Sequence, residues 1–432
     1  MGKRVLIVGG GYVGLYTALE LQKRLGRGEA DVTLVSPESY MTYQPFLPEA
    51  AAGSLEPRHV VVSLRRVLRK VRIVNGTVIA VDHERREATV EPLDGAPYQL
   101  GYDDVVIAAG SVARTLPIPG LVEHAVGFKT VEEAIFLRNQ VLQCLDIAAS
   151  TDDPETRRRQ LTFVFVGAGY AGVEALAELE DLARDACRYY PQLEPADMRW
   201  IMVDAADRIL LELSPGLSAY TKRQLESRGI EVLVSTRLER IEDGVVTLSD
   251  GRSFPAETVV WTAGVKASPL VNRTGLPSDD RGRLDADEFL RVRGVPGAWT
   301  AGDIAAVPDL AMGGFCAPTA QHAVRQARLL GRNIVATLRG EQPTPYRHKH
   351  VGSVASLGLH KGVAEVYGVR LRGWPAWFMH RTYHMSRVPT WGRKAQVVAD
   401  WTLSLFFRRD VISLGALHTP RAAFERSRPQ LP

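Results

Sequence analysis

Apolar runs without polar alternation punctuate the first half of the chain. RVLIV at 4–8 and DVTLV at 31–35 flank a stretch in which Leu15, Ala18, Leu19 and Leu21 recur at helical spacing. Continuous apolar runs mark strands covered on both faces, so this order predicts strand, helix and parallel strand. The succession returns with LTFVFV (161–166), a helical GYAGVEALAEL and RWIMV (199–203). VVIAAGS (105–111) and VVWTAGV (259–265) are near-copies, each a strand that ends in Ala-Gly. VPGAWTAGD (295–303) adds one more strand, and TAQHAVRQAR (319–328) opens a helix with Gln321 and Arg325 on one face.

Glycines stand where the strands give way to helices. Gly9, Gly11 and Gly14 make GxGxxG between the first strand and its helix, and Gly167, Gly169 and Gly172 repeat it 158 positions later. In such a loop the first glycine permits the tight turn, the second lets a pyrophosphate approach the backbone, and the third lets helix and strand pack closely. Two copies at this separation predict an α/β fold of two nested Rossmann-like dinucleotide-binding domains, followed by a C-terminal region of strands and amphipathic helices. The strand after the second loop ends in Asp204, the carboxylate expected on a ribose 2′-hydroxyl. Arg208 comes only four residues on, so this loop favours NAD(H) over NADP(H). The strand after the first loop ends in Ser36, with Glu38 two positions later, and either can accept the ribose hydrogen bond. Gly110 and Gly264 allow close cofactor approach, and LPIPG (116–120) is a linker. Gly302-Asp303 suits the ribityl–phosphate part of a flavin, the alternative being an ordinary turn aspartate.

Composition narrows the classes. At 432 residues with 45% hydrophobic and 24% charged positions, the chain fits a globular protein of two to three domains. Its three cysteines, Cys144, Cys187 and Cys316, lie far apart, which predicts neither a disulfide framework nor a metal site. The histidines show no ligand spacing, and His348 and His350 in RHKHV read as a basic loop. No run of 18 apolar residues is present, and the apolar N-terminal run is too short for a signal peptide. The net charge of +4 conceals a basic end: from Arg370 onward, eleven Lys/Arg face three Asp/Glu. Four of the seven tryptophans, Trp374, Trp377, Trp391 and Trp401, fall there too. In QVVADWTLSLFFRRD (396–410), Val398, Trp401 and Leu405 lie at helical spacing, widened by Val397 and Phe406. An apolar, tryptophan-bearing stripe closed by arginines predicts an interfacial helix on a membrane surface. The alternative is a stripe packed on the core or in a homodimer. No nucleic-acid module is present, and RAAFERSRPQLP reads as a frayed tail.

GGGYVG, AAGS, GAGYAGVE, TAG and AGD occur in the order used by the pyridine nucleotide–disulfide oxidoreductase superfamily, which the chain resembles over residues 4 to about 310. SPESYMTYQPFLPEAAAGSLEPRHV (36–60) lacks the paired cysteines of its disulfide reductases and sulfide:quinone oxidoreductases. YMTYQPFLPEAAAGSLEPR, VGFKTVEEAIFLRNQVL and GWPAWFMHRTYHMSRVPTWGRKAQVVADWTLSLFF are similar to segments of type II NADH dehydrogenases, the non-pumping NADH:quinone oxidoreductases. Ala320, Gln321 and Ala323 match that family's AQxAxQ signature, while Arg325 stands at the second glutamine and is followed by Gln326.

The resemblance implies FAD on 1–115 plus 285–345, NADH on an inserted 116–284, and a C-terminal region, 346–432, that docks on the inner, cytoplasmic face of a membrane. Thr319 and Ala320 would begin a helix whose N-terminus faces the flavin, and Gln321 would hydrogen-bond a quinone carbonyl. Glu174 would point toward the nicotinamide, or else be a solvated helix carboxylate. Lys361, in a strand pair after the helix, is a candidate proton donor, though an ordinary exposed lysine is the plainer reading. A soluble NADH-dependent flavoprotein serving a protein or small-molecule acceptor is the competing function.

Overall fold

The computed structural model describes residues 2–348, 351–415, 421 and 424, so His350 and most of the expected frayed tail lie outside the described residues. The chain forms two compact units: residues 1–42, 61–114 and 264–351, and residues 43–60, 115–263 and 352–432.

The first unit is built on a seven-stranded sheet in the order Ala298–Thr300, Asp104–Ile107, Lys3–Val8, Ala30–Ser36, Arg72–Asp82, Glu87–Pro92, Tyr98–Gly101. The first five strands are parallel and the last two antiparallel. The fully apolar strands occupy its centre: Leu6, Ile7, Val105, Val106 and Ile107 are at most 2% exposed. The helices Tyr12–Arg24 and Ala320–Leu338 pack together, and the Thr17 hydroxyl donates to the Ala327 carbonyl at 3.2 Å. The completing strand Ala298–Thr300 thus comes from almost 200 residues downstream of its neighbour, as nesting requires.

The second unit holds a five-stranded parallel sheet, Ala125–Gly127, Thr258–Trp261, Thr162–Val166, Arg199–Val203, Glu231–Leu233. Its connecting helix Val131–Ser150 starts at a capping box, in which Thr130 and Glu133 satisfy each other's backbone N–H groups. After Gly352 the chain forms a three-stranded antiparallel sheet, and the helix Trp374–Arg387 packs on it.

These units depart from the sequence boundaries in three places. Residues 264–284 join the first unit, because Val265–Ala267 pairs antiparallel with Ser111–Ala113 and Pro269–Arg273 packs on Arg72–Asp82. Residues 43–60 join the second, where Leu47–Ala51 packs on Val131–Ser150 and Tyr170–Ala186. The segment from 352 belongs to that same unit rather than standing as a third. The boundary cuts the second Ala-Gly end, Ala263 from Gly264, because the segment after it pairs with the exit of the first.

The two glycine loops have one geometry. Gly9 and Gly167 sit at φ +106° and +109°. A Cβ on Gly14 would lie 1.8 Å from the Gly9 carbonyl oxygen, and one on Gly172 would lie 2.0 Å from that of Gly167. Gly11 and Gly169, by contrast, have ordinary negative φ, and a Cβ on either would meet nothing within 4 Å. The outer glycines serve the fold and the middle ones leave space. Gly14→Ala is therefore expected to destabilise by about 3 kcal/mol or more through overpacking, whereas Gly11→Ala keeps the melting temperature of the cofactor-free protein and loses flavin content. Thermal denaturation and flavin absorbance of both variants check this; equal stabilities would contradict it.

Candidate functional site

In the first unit the helix Tyr12–Arg24 begins beside the space at Gly11, so its unpaired N–H groups face a region that a side chain would close. Ser36 is buried at the end of its strand, and a Cβ on Gly10 would lie 2.7 Å from its Oγ. Ser36 therefore packs beneath the loop, while Glu38 is exposed and remains the acceptor in reach of solvent. Gly302, at φ +74°, begins a short turn whose Asp303 carboxylate accepts the Ser111 hydroxyl at 2.7 Å. Gly110, next to Ser111, has φ +63° and open space beside it. Asp303 is thus tied to the Ala-Gly-Ser exit of the neighbouring strand, a pairing across 192 positions.

The helix Ala320–Leu338 is capped by Thr319, whose hydroxyl accepts the His322 N–H at 3.3 Å. Gln321 and Arg325 share a face as their spacing predicts: Arg325 Nη1 lies 3.1 Å from the Gln321 carbonyl oxygen and 3.4 Å from its Oε1. Gln326 points elsewhere. It is 1% exposed and its Oε1 accepts the Gly302 N–H at 2.8 Å. It anchors the helix to the glycine-aspartate turn and does not replace a glutamine at 325.

In the second unit Asp204 stands at the end of its strand and holds the loop from below, accepting the Ala168 N–H at 2.5 Å and the Ala206 N–H at 2.7 Å. Arg208 donates to the carbonyls of Leu213 and Leu211 at 2.8 and 2.9 Å, so its charge serves its own loop. The Thr262 hydroxyl donates to the Gly167 carbonyl at 2.8 Å and supports the turn. Gly264, outside this unit, has φ +95° and open space.

Glu174 is not a solvated carboxylate. It is 6% exposed, accepts the Ser356 N–H at 2.8 Å and lies 3.0 Å from His380 Nε2. Its side chain is therefore committed to the strand and helix of the C-terminal segment. Lys361 sits in the turn between two of those strands, with its backbone closing onto Leu357 and Gly358, and takes no part in the Glu174 pairing. Around Glu174 stand two more buried acids. Glu49, 1% exposed, is 3.0 Å from Arg381 Nη2 and accepts Trp401 Nε1–H at 2.8 Å. Glu178, fully buried, accepts the Ser356 hydroxyl at 3.0 Å and pairs with Arg409 at 3.5 Å. The Arg381 guanidinium lies over the rings of Trp377 and Trp401, 4.2 and 4.9 Å from their centroids. His380 and His384 have ring centroids 4.6 Å apart, and the Tyr43 hydroxyl donates to the His384 carbonyl at 3.1 Å. Burial opposes charge on His380, yet Glu174 at hydrogen-bond distance, helped by Glu49 and Glu178, raises its pKa above the usual value. Burial and the neighbouring His380 push His384 well below it.

A family model described as pyridine nucleotide-disulphide oxidoreductase matches residues 3–327. Type II NADH:quinone oxidoreductase of Staphylococcus aureus is 31% identical, over 88% of this chain and 93% of the relative. The chain belongs to the type II NADH:quinone oxidoreductases, within that family. Type II NADH:quinone oxidoreductase Ndh of Mycobacterium tuberculosis is 28% identical over 98% of this chain and 92% of its own. Among solved structures, NDH2 from Plasmodium falciparum in complex with NADH has the same fold, with a TM-score of 0.89 at 19% identity over 95% of this chain and 100% of that one.

FAD and NADH are the cofactors of this fold. The residues present fit both: each loop has an open middle glycine at a helix start and a carboxylate near the next strand end, exposed Glu38 in one and Asp204 in the other. Sequence reasoning did not find Ser111, Gln326, Glu49, Glu178, His380 or Arg381 as members of these clusters. Only Ser111 had a local signal, its place after Ala-Gly. The others meet their partners across long separations, which no spacing encodes.

The C-terminal stripe is divided by the structure. Val397 is fully buried, Trp401 is turned onto Glu49 and Phe46, and Trp377 is 8% exposed, so these face inward. Trp374, Phe378, Trp391, Val398, Leu403, Leu405, Phe406 and Phe407 are exposed, from 44 to 85%. Among the described residues no helix is long and apolar enough to cross a membrane.

The raised pKa of His380 means that its pairing with Glu174 contributes stability fully below about pH 6.5 and loses it as pH rises through the raised folded value. Glu174→Gln is expected to lower the His380 pKa, leaving burial to dominate. Histidine titration by nitrogen-15 NMR reads this directly; an unchanged His380 pKa would contradict the pairing.

Proposed function

We propose that the protein is a peripheral NADH:quinone oxidoreductase of the inner, cytoplasmic membrane face, in which NADH is held by the second unit's glycine loop and FAD by the first unit's. The observation that carries this reading is the doubled loop with its open middle glycines, Gly11 and Gly169, each at a helix start on its own parallel sheet. FAD, held by the first unit's loop, would supply the redox chemistry that links NADH oxidation to reduction of the acceptor.

The protein's own groups bind and orient. Gly9, Gly11 and Gly14 present backbone N–H groups to the flavin pyrophosphate, with Glu38 rather than buried Ser36 at the ribose. Asp303, held by Ser111, serves the ribityl side, and Gly110 leaves room beside it. Gly167, Gly169 and Gly172 take the NADH pyrophosphate and Asp204 its ribose hydroxyls, while Gly264, in the first unit, has open space beside it for a cofactor. Engagement of Arg208 by Leu211 and Leu213 supports NADH over NADPH. The N-terminal end of Ala320–Leu338, with capping Thr319 and small Ala320, favours the negative charge of a reduced flavin. Gln321 offers its amide to a quinone carbonyl, and Arg325 fixes the orientation of that amide. Glu174 and His380 form an acid–base pair in the second unit able to hold a proton.

The exposed Trp374, Trp391, Leu405 and Phe406, with a segment rich in Lys and Arg, suit an anionic lipid surface. Vesicles with anionic lipid and a long-tailed quinone test this reading. The protein is expected to co-sediment and oxidise NADH with the vesicle quinone. The double variant Leu405→Glu, Phe406→Glu should stay in the supernatant and lose about tenfold or more of that rate, while still reducing a water-soluble quinone. A variant that sediments and turns over like the parent would overturn the membrane placement.

A further inference from the structure

Three side chains with metal-binding chemistry meet in the first unit from positions with no recognisable ligand spacing. Asp309, Cys316 and His322 bring a carboxylate oxygen, a sulfur and an imidazole nitrogen within 4.8 Å of one another. The fold prepares each of them. Asp309 and Cys316 face each other across a tight loop: the Asp309 N–H donates to the Gly314 carbonyl at 3.0 Å, and the Cys316 N–H to that of Val307 at 2.9 Å. Asp309 Oδ1 accepts the N–H groups of Ala311 and Met312 at 2.9 and 3.1 Å, which fixes the carboxylate plane. The Cys316 thiol is buried, 3.7 Å from the Pro308 carbonyl.

His322 arrives from the first turn of the helix Ala320–Leu338. Its Nδ1 lies 2.9 Å from the hydroxyl of buried Tyr346, an outer partner of the kind that orients a ligating imidazole. The His348 ring stands 5.6 Å from the His322 ring, centroid to centroid, at 83°. His348 thus borders the trio on the His322 side.

We propose that Asp309, Cys316 and His322, with solvent completing the coordination, form a binding site for a borderline-soft divalent cation of the zinc class. Sulfur with imidazole nitrogen and one carboxylate selects such an ion over magnesium or calcium, which take all-oxygen sets. Metal–ligand bonds of about 2.0–2.3 Å place tetrahedral donors roughly 3.3–3.8 Å apart. The three ligand atoms lie within 4.8 Å of one another. On binding, the Cys316 S–H bond breaks, the sulfur–metal bond forms, and the proton leaves to solvent. The ion ties together the 307–316 loop and the start of the helix that carries Gln321. This revises the expectation, drawn from cysteine and histidine spacing, that no metal site is present.

The test uses the full-length, tag-free, FAD-loaded protein. Titration with Co(II) is followed as a difference spectrum for the sulfur-to-cobalt charge-transfer band, and Zn(II) binding by calorimetry. One equivalent per chain is expected, with the band present and the melting temperature raised as the ion binds the folded state. Cys316→Ser should abolish the band, and His322→Ala and the isosteric Asp309→Asn should each weaken affinity about tenfold or more. Cys144→Ser should change neither. Absence of stoichiometric binding would overturn the proposal, as would a band or affinity that survives Cys316→Ser and Asp309→Asn together. Should Cys316→Ser fail to fold, as judged by flavin retention, Asp309→Asn and His322→Ala decide by themselves.

Discussion

The close approach of a helix to its own strand, at Gly14 over Gly9 and at Gly172 over Gly167, is the constraint on which both units depend. With a carbonyl oxygen 1.8 to 2.0 Å from where a Cβ would stand, only glycine lets the helix start that low over the sheet edge. That placement aims the first helical N–H groups into open space at Gly11 and Gly169. A helix start is already suited to negative charge through its unpaired donors and its dipole. The same backbone that closes the fold therefore makes the anion cradle, and fold and cofactor chemistry cannot be separated at these positions.

A second layer of order comes from long-range polar pairs that hold the glycine turns in place. Ser111 on Asp303 and Gln326 on Gly302 tie the late-arriving strand and helix of the first unit to its early half. In the second unit, Asp204 and Thr262 do the same for the Gly167 turn. The Glu49, Glu174 and Glu178 carboxylates are buried but none is isolated: Arg381, His380 and Arg409 answer them. Taking any one cation away would leave a buried carboxylate uncompensated, a change worth roughly 3–5 kcal/mol. This cluster gives the C-terminal helices a firm inner face, so that their outer face is left to Trp374, Trp391 and Phe406.

What was legible in the sequence was local. The glycine loops, the Ala-Gly strand ends, the helix start at Thr319 and the shared face of Gln321 and Arg325 depend on neighbours within one turn or one strand. What was not legible depended on partners far along the chain. Periodicity marked 396–410 as amphipathic but could not tell that Trp401 and Val397 turn inward while Val398 and Leu405 turn out. Glu174 looked like a residue of its own loop, yet His380, more than 200 positions away, fixes it. The unit boundaries moved for a similar reason, since the exits at Ser111 and Val265 pair with one another rather than each with its own sheet. Asp309, Cys316 and His322 likewise meet only through the fold.

One chain with two glycine cradles is suited to run two half-reactions in sequence, NADH to flavin and flavin to quinone. Anaerobic double-mixing stopped-flow on the purified flavoprotein separates the two. NADH is expected to bleach the flavin absorbance, and a water-soluble quinone, mixed in second, to restore it. Failure of NADH to bleach the flavin, or a bleached flavin that quinone leaves reduced, would contradict this sequence of transfers.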